Sequence, residues 1–178
     1  YAKVGTNITG EIAYFYSWHV GVAFMLNYNV NPVDKNRLSN GYIDSSPAFK
    51  TANASTEPFR DISGLAGLVF DIPPNEYISF TFKMMGGLRN VYKPTALIRT
   101  TTTFSNVDYY ETSDNRTVFA FLTSMGGRVI INDNFNAHLT ASYIGSTIHF
   151  KYKRNSKTIN EKAHIGVLMI TGGVSYSF

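Results

Sequence analysis

The sequence is as informative for what it lacks as for what it contains. Its 178 residues include no cysteine, which excludes a disulfide framework and a thiolate metal site. No apolar run approaches the roughly 18 residues that a membrane-spanning helix needs. The net charge of +4 comes from scattered residues and not from a basic run, so nucleic acid is not expected as a partner. No linker-like stretch divides the chain, and we expect one domain over residues 1–178.

Tyrosine, phenylalanine, glycine and threonine are abundant, and apolar residues alternate with small or polar ones. The segment "VGVAFMLNYNV" places its large apolar residues at every second position, and "YISFTFKMMGGLRNVY", "VFAFLTSMGGRVII" and "TGGVSYSF" do the same. This period of two is typical of β-strands with two different faces. Counted along the chain, the pattern predicts seven strands. In the sixth, the apolar face changes at Ile144 and Gly145, where we predict a β-bulge.

The connections between these strands are short at one end and long at the other. Short turns are expected at "YSWH", "PPNE" and "NDNF". Long loops are expected from about 31 to 61, 93 to 116 and 153 to 162, and part of the second, "ALIRTTTTFSNVDYYET", is expected to extend a hairpin. Short turns at one end and long loops at the other are typical of an outer-membrane up-and-down β-barrel, whose turns are periplasmic.

The strand count has a further consequence. The last strand runs inward, so the first of seven also runs inward, whereas single-chain bacterial barrels have an even number of strands. We therefore predict an all-β, transmembrane, antiparallel barrel of eight strands whose first strand precedes the quoted chain or is missing from it. Eight strands form the smallest such barrel, with an interior that side chains can fill.

The composition of the two faces distinguishes a membrane barrel from a soluble one, such as a lipocalin-type barrel. The polar face is rich in small residues and poor in lysine and glutamate, as a narrow interior requires, whereas a wall facing water would have many charges. The opposite face is aromatic and aliphatic, with tyrosines towards the strand ends as in interfacial girdles. We therefore predict an integral outer-membrane protein in contact with membrane lipid.

The sequence also resembles the small outer-membrane β-barrel proteins of Bacteroidota-type bacteria. The resemblance rests on "GEIAYFYSWHVGVAFMLNYNVNP", "LAGLVFDIPPNEYISFTFKMMGGL", "FAFLTSMGGRVIINDNFNAHLTASYIGS" and "GGVSYSF". It implies delivery by the barrel-assembly machinery, with Val174, Tyr176 and Phe178 as the C-terminal recognition signal. Members of this group are mostly uncharacterised, so the resemblance implies a fold and a location and no activity.

Alternation places five charged residues in the predicted lumen, namely Glu11, Asp71, Lys83, Arg89 and Arg128. Because unpaired charges are costly in a poorly hydrated interior, we expect a salt-bridge plug, with Glu11 paired to Arg128 or Lys83. The alternative is the charged constriction of a small pore.

The four histidines lie on different strands with no metal-ligand spacing, so neither a metal site nor a cofactor is expected. A lipid-modifying barrel enzyme would require His149 or His164 beside a nucleophile such as Ser146 or Ser156, and no motif supports it. We expect no catalytic residues.

The loops contain aromatic residues that are candidates for a partner surface or for simple loop packing, namely Tyr42, Phe49, Phe59, Tyr109 and Tyr110. The predicted function is that of a non-enzymatic structural or accessory subunit, which acts through its loops or outer wall with another outer-membrane protein.

Overall fold

The computed structural model describes residues 3–45, 49–102, 106–132, 134–154 and 157–177, which form one antiparallel sheet of ten strands and one helix. In chain order the elements are β1 Thr6–Phe15, β2 Val20–Asn31, α1 Lys35–Ser45, β3 Phe49–Thr56, β4 Phe59–Ile72, β5 Ile78–Lys93, β6 Ala96–Thr102, β7 Asn106–Glu111, β8 Asp114–Ile130, β9 Phe135–Arg154 and β10 Lys157–Tyr176.

Seven of the strands form a continuous up-and-down meander in the order β1-β2-β4-β5-β8-β9-β10. Their residues alternate between a large apolar side chain and a small or polar one, which suits a pleated sheet with two different faces. The connections at one end are short, over residues 16–19, 73–77 and 131–134. The predicted all-β, antiparallel, up-and-down architecture is therefore confirmed, together with the positions of its seven strands.

The two outer strands of this meander, β1 and β10, face each other across a seam. Within the described ranges they share no backbone pairing, yet their inward side chains meet: the Thr171 hydroxyl donates to Asn7 at 3.2 Å, and the Asn7 amide lies 3.5 Å from the Met169 sulfur. The sheet is therefore curled enough to bring its edges together. Because β1 and β10 run in the same direction, an antiparallel closure requires one more strand between them.

The two longest connections are built from regular elements at the loop end of the meander. The stretch 32–58 contains α1, which packs against β3, and the stretch 94–113 contains the β6–β7 hairpin. Strand β3 pairs with β6, and β7 joins the main sheet through the pair Glu111 and Arg154. The Thr-rich segment thus forms a hairpin attached to β9.

Two sequence-based expectations for the sixth and seventh strands of the meander are wrong. The predicted long loop at 153–162 is instead a hairpin, because pairing between β9 and β10 runs from Arg154 and Lys157 down to Phe135 and Tyr176. The predicted bulge is also absent, since the described β9–β10 ladder continues through Ile144 and Gly145 without a shift of register. The change of apolar face at that point has another cause, described below.

The core lies on the concave face of the sheet and is more apolar than the sequence suggests. Leu65, Ile144 and Leu122 are almost completely buried within a cluster of nine buried apolar side chains. The full cluster is Ala23, Met25, Leu65, Val69, Met85, Ala120, Leu122, Ile144 and Met169. These side chains share the interior with polar and charged groups, and Glu11 lies at the level of Met25 and Leu65. In the described ranges, no helix is long and apolar enough to cross a membrane.

Candidate functional site

The convex face of the meander is almost entirely apolar and exposed. Leu168 and Ile170 on β10 are each 75% exposed, and every other meander strand contributes large apolar side chains to the same face. Examples are Ile8, Ile12, Phe24, Leu26, Leu68, Phe80, Phe82, Met84, Leu88, Phe119, Phe121, Met125, Leu139 and Val174. Monomeric proteins in water rarely expose a contiguous apolar patch larger than a few hundred Å². A surface of this extent therefore requires an apolar medium or another protein to cover it.

This pattern reverses towards the loop end of β9. Up to Tyr143 the large apolar side chains point outward, whereas Ile144, Ile148 and Phe150 are buried inside, and Thr147 and Lys151 point outward and are exposed. Ile148 and Phe150 belong to a second core cluster with Val91, Val118, Ile159, Ala163 and Ile165. The phase change that predicted a bulge is thus a change in the face on which the apolar side chains lie. Below it the wall is apolar outside, and above it the wall resembles that of a protein in water.

The interior contains a charge pair close to the loop end. Arg89, which is 1% exposed, forms a two-bonded ion pair with Asp61, from Nε to Oδ1 at 3.0 Å and from Nη2 to Oδ2 at 2.9 Å. The Asn29 amide also donates to Asp61 at 3.0 Å, and Arg89 donates to the Ser146 hydroxyl at 3.2 Å. The Arg89 guanidinium and the Asp61 carboxylate are therefore both paired and hydrogen-bonded, which offsets the cost of burying them.

A second pair lies at mid-height. The Lys83 ammonium donates to both carboxylate oxygens of Glu11 at 2.6 Å, and both side chains retain some exposure. Of the two partners considered for Glu11, the structure therefore selects Lys83. This contact crosses the interior from β5 to β1, on the far side of β2 and β4 in the sheet order. It therefore helps to hold the curled sheet together.

A third pair fills the end near the short turns. Arg128 on β8 forms an ion pair with Asp71 on β4, and the Ser79 hydroxyl also donates to Asp71. These three ion pairs lie at different heights of the described interior. A fourth pair, between the Lys93 ammonium and the Glu111 carboxylate at 3.5 Å, is also largely buried and lies at the loop end.

All five charges assigned to the lumen from the sequence lie in the interior and are paired. Asp61, the partner of Arg89, was not predicted in the lumen, because the alternation in "FRDISGLAG" is weak and a loop was expected up to about residue 61. The even sequence separation between Asp61 and Asp71 could have indicated that both carboxylates point into the lumen. Two residues with an even separation in a strand share a face.

The C-terminal residues lie on the outward face, as far as they are described. Val174 and Tyr176 are exposed, and the Tyr176 ring meets Phe135 edge-on with 5.3 Å between ring centroids. Phe178 falls outside the described residues. The two rings together form an aromatic contact at the short-turn end of β9 and β10.

The loop aromatics are not gathered into one described surface. Phe59 and Tyr109 are partly buried, and Tyr110 is 52% exposed on β7. Tyr42 lies in α1 and Phe49 begins β3, but their side chains fall outside the described part of the structure.

Two of the histidines share the outward face of the β9–β10 hairpin. Register places His164 opposite Thr147 and Lys162 opposite His149, and the Thr147 hydroxyl lies 2.9 Å from the His164 Nδ1. Below them opens a groove of about 460 Å³, lined by Phe119, Phe121, Tyr143, Gly145, Ser146, Thr147, His164, Ile165 and Gly166. Among the described residues, no group of three metal-ligating side chains is present.

Two glycines form the floor of this groove. A side chain at Gly145 would collide with Phe121, whose ring lies 2.8 Å from the position of a Cβ, and one at Gly166 would collide with Tyr143 at the same distance. The two rings lean over the glycines, with 6.0 Å between their centroids. The missing side chains at Gly145 and Gly166 therefore leave the space that the two rings occupy.

At the loop end a carboxylate joins β8 to β9 where their backbone ladder has ended. Asp114 Oδ2 accepts from the Lys151 backbone amide at 2.8 Å and from Arg116 Nε at 3.0 Å. Burial alone raises the pKa of Asp114, but these hydrogen bonds outweigh it and hold that pKa below its ordinary value. The ionised carboxylate thus stabilises this junction.

Comparison with known proteins gives a similarity of structure and none of sequence. The sequence matches no family model and no curated protein. The fold is similar to the crystal structure of Ail, the attachment invasion locus protein of Yersinia pestis, with 17% identity and a TM-score of 0.44 over 94% of this chain and 79% of that one. A similarity at this level does not indicate a shared function.

Proposed function

We propose that this protein is an integral outer-membrane β-barrel of eight strands, in which one more antiparallel strand runs between β1 and β10. The observation that supports this most strongly is the apolar convex face, because lipid is the medium in which such a face is stable. Strands β9 and β10 contain 20 residues each, whereas a barrel strand crosses the membrane in about 9–11 residues. The remaining residues of β9 and β10 form the part of the wall beyond the level at which the apolar side chains change from the outer to the inner face.

The lumen is plugged. Three ion pairs and the apolar cluster occupy the interior, and the Arg89 guanidinium and Asp61 carboxylate are almost completely buried. An open channel would leave these groups in contact with water. The barrel therefore conducts neither ions nor small solutes.

The role that remains for a plugged barrel is structural or accessory, without enzymatic activity. The parts available to partners are the outer wall and the loop-end elements α1, β3, β6 and β7. We propose that these contact another outer-membrane protein, and that the barrel-assembly machinery inserts the chain.

Two measurements test this proposal. Purified protein in a planar lipid bilayer should show no conductance above the lipid background. Protein solubilised from native envelopes with mild detergent should co-purify with a larger outer-membrane complex. Isolation as a lone protein with steady single-channel conductance would contradict both parts.

A small pore is the second candidate, and one observation favours it. Lys83, Glu11 and Arg128 retain 15–24% exposure of their side chains, so the lower interior is less completely filled than the Arg89 region. A pore would show conductance whose ion selectivity changes when Lys83 or Arg128 is replaced by glutamine.

A lipid-modifying enzyme is the third candidate, because the Thr147 hydroxyl lies 2.9 Å from a ring nitrogen of His164. Activation of a hydroxyl by histidine usually also needs a group that orients the imidazole, and no such bond to His164 is seen among the described residues. Release of fatty acid from reconstituted phospholipid, abolished in Thr147→Val, would establish this activity in place of the accessory role.

A further inference from the structure

The β9–β10 hairpin has a basic belt at the level where its outward face changes from apolar to polar. We define this belt as His149, Lys151, Lys162 and His164, all of which are exposed and point outward. Register pairs Lys162 with His149 and Lys151 with Asn160, so the two lysines are diagonal neighbours at about 7–8 Å. The belt therefore presents two ammonium groups close together.

The two lysines are not engaged within the protein. In the described ranges, neither ammonium forms an ion pair or hydrogen bond with another side chain. By contrast, Lys83, Arg89 and Arg128 on the inner face are each paired with a carboxylate. The outward neighbours of the belt are neutral, with Thr117 on β8 and Asn160 on β10. The belt is thus a site of uncompensated positive charge.

The groove described above lies directly beneath this belt. Its polar end is formed by Thr147 and His164, and its body by Phe119, Phe121 and Tyr143 over the two glycines. Its volume of about 460 Å³ lies within the wall that faces lipid in the proposed function. An apolar groove that ends at a pair of cations matches one kind of molecule, an acyl chain attached to an anionic headgroup.

We propose that this part of the outer wall binds a phosphorylated lipid of the surrounding leaflet. The phosphate accepts hydrogen bonds from Lys151 and Lys162, and Thr147 and His164 contact the neighbouring ester or hydroxyl groups. One acyl chain lies in the groove against the Phe119, Phe121 and Tyr143 rings. The proposal rests on the proposed membrane location. The proposed function requires only that the outer wall contact lipid. The present proposal adds one site on that wall that selects a particular kind of lipid.

Native mass spectrometry of the purified protein in detergent tests this proposal with lipid A that bears two phosphates and with the same lipid after removal of the phosphates. Wild-type protein should bind the phosphorylated form selectively. The double variant Lys151→Gln/Lys162→Gln should bind it roughly ten- to thirtyfold more weakly, since each basic residue near a lipid surface contributes about one kcal/mol.

Two further variants separate charge from shape. The double variant Lys35→Gln/Arg99→Gln removes the same charge from exposed loop-end positions and should bind as the wild type does. Gly166→Leu would displace the Tyr143 ring that lines the groove, so it should weaken binding with both lysines in place. Higher salt should weaken wild-type binding. Equal binding of phosphorylated and dephosphorylated lipid, or unchanged binding by Lys151→Gln/Lys162→Gln, would overturn the proposal.

Co-flotation with phosphatidylcholine vesicles distinguishes failure of this site from failure of the proposed function. Wild type and Lys151→Gln/Lys162→Gln should both insert, because insertion depends on the apolar wall. Failure of the wild type to insert would contradict the membrane location itself, and insertion without lipid selectivity would contradict the phosphorylated-lipid site alone.

Discussion

The lower and upper parts of strand β9 differ in the direction of their apolar side chains, although they belong to one continuous ladder. From Phe135 to Tyr143 the apolar side chains are exposed on the outer face, and at Ile148 and Phe150 they are buried on the inner face. The backbone register does not change along the strand, and the proposed membrane accounts for the difference. A strand surrounded by lipid places its apolar side chains outward, and a strand surrounded by water places them inward. The boundary at Gly145 and Thr147 therefore marks the edge of the proposed membrane.

The largest effect is expected from breaking the interior pair of Arg89 and Asp61. Arg89→Met should lower the free energy of unfolding by about 3–5 kcal/mol, because it leaves a buried carboxylate without its partner. Guanidinium unfolding in detergent micelles, followed by circular dichroism, measures this loss. Asp61→Asn combined with Arg89→Met should restore part of the stability, and a double variant as unstable as the single one would contradict this explanation.

A charge on the outer wall is expected to have the next largest effect. Ile170→Arg should lower stability in lipid vesicles by roughly 2–4 kcal/mol, the cost of a cation near the bilayer midplane. The matched variant His164→Arg, earlier on the same face of β10, should cost at most about one kcal/mol near the interface. Equal tolerance of both substitutions would show that the two regions face the same medium.

The junction at Asp114 should have a smaller effect that depends on pH. Asp114→Ala should cost roughly 1.5 kcal/mol, since it removes a charge-assisted hydrogen bond to the Lys151 amide. Because the pKa of Asp114 is lowered in the folded protein, its contribution is complete above the unfolded carboxyl pKa of about 3.9 and is lost as the pH falls through the lower folded value. The NMR shift of the Lys151 amide should follow this titration, and a midpoint above 3.9 would contradict it.

The smallest effect is expected at an exposed ion pair in the loop-end sheet. Arg99 and Asp108 meet at 3.0 Å, and their side chains are 61% and 48% exposed. Arg99→Ala should change stability by less than about one kcal/mol, because water already solvates both groups. A loss of stability as large as that of Arg89→Met would mean that burial does not determine how much these ion pairs contribute to the free energy of unfolding.

Much of the architecture follows from the sequence because the period of two is a local signal. The seven meander strands and the three short turns were predicted where they occur, since side-chain alternation and turn residues depend on neighbouring positions. The bulge at Ile144 was predicted wrongly, because apolar side chains were expected on one face along the whole strand. They change face there without any change of register, as expected of a strand that leaves the proposed membrane.

Less of the candidate site than of the fold could be predicted from the sequence. The partner of Arg89, Asp61, depends on which strands become neighbours across the sheet, and the alternation around Asp61 is weak. The groove was not predicted, because it arises where Gly145 and Gly166 come into register on paired strands 21 residues apart in the sequence. Long-range register determines both features.

The central claim, that the convex face lies in lipid, is tested most directly by quenching at two single cysteines. The protein has no cysteine of its own, so Leu168→Cys and Thr158→Cys each give one labelling site, on the lower and upper outer face of β10. In vesicles, a fluorophore at position 168 should be quenched by brominated lipid and protected from iodide, and one at position 158 should show the opposite. Quenching of both positions by iodide, with no effect of brominated lipid, would contradict the claim.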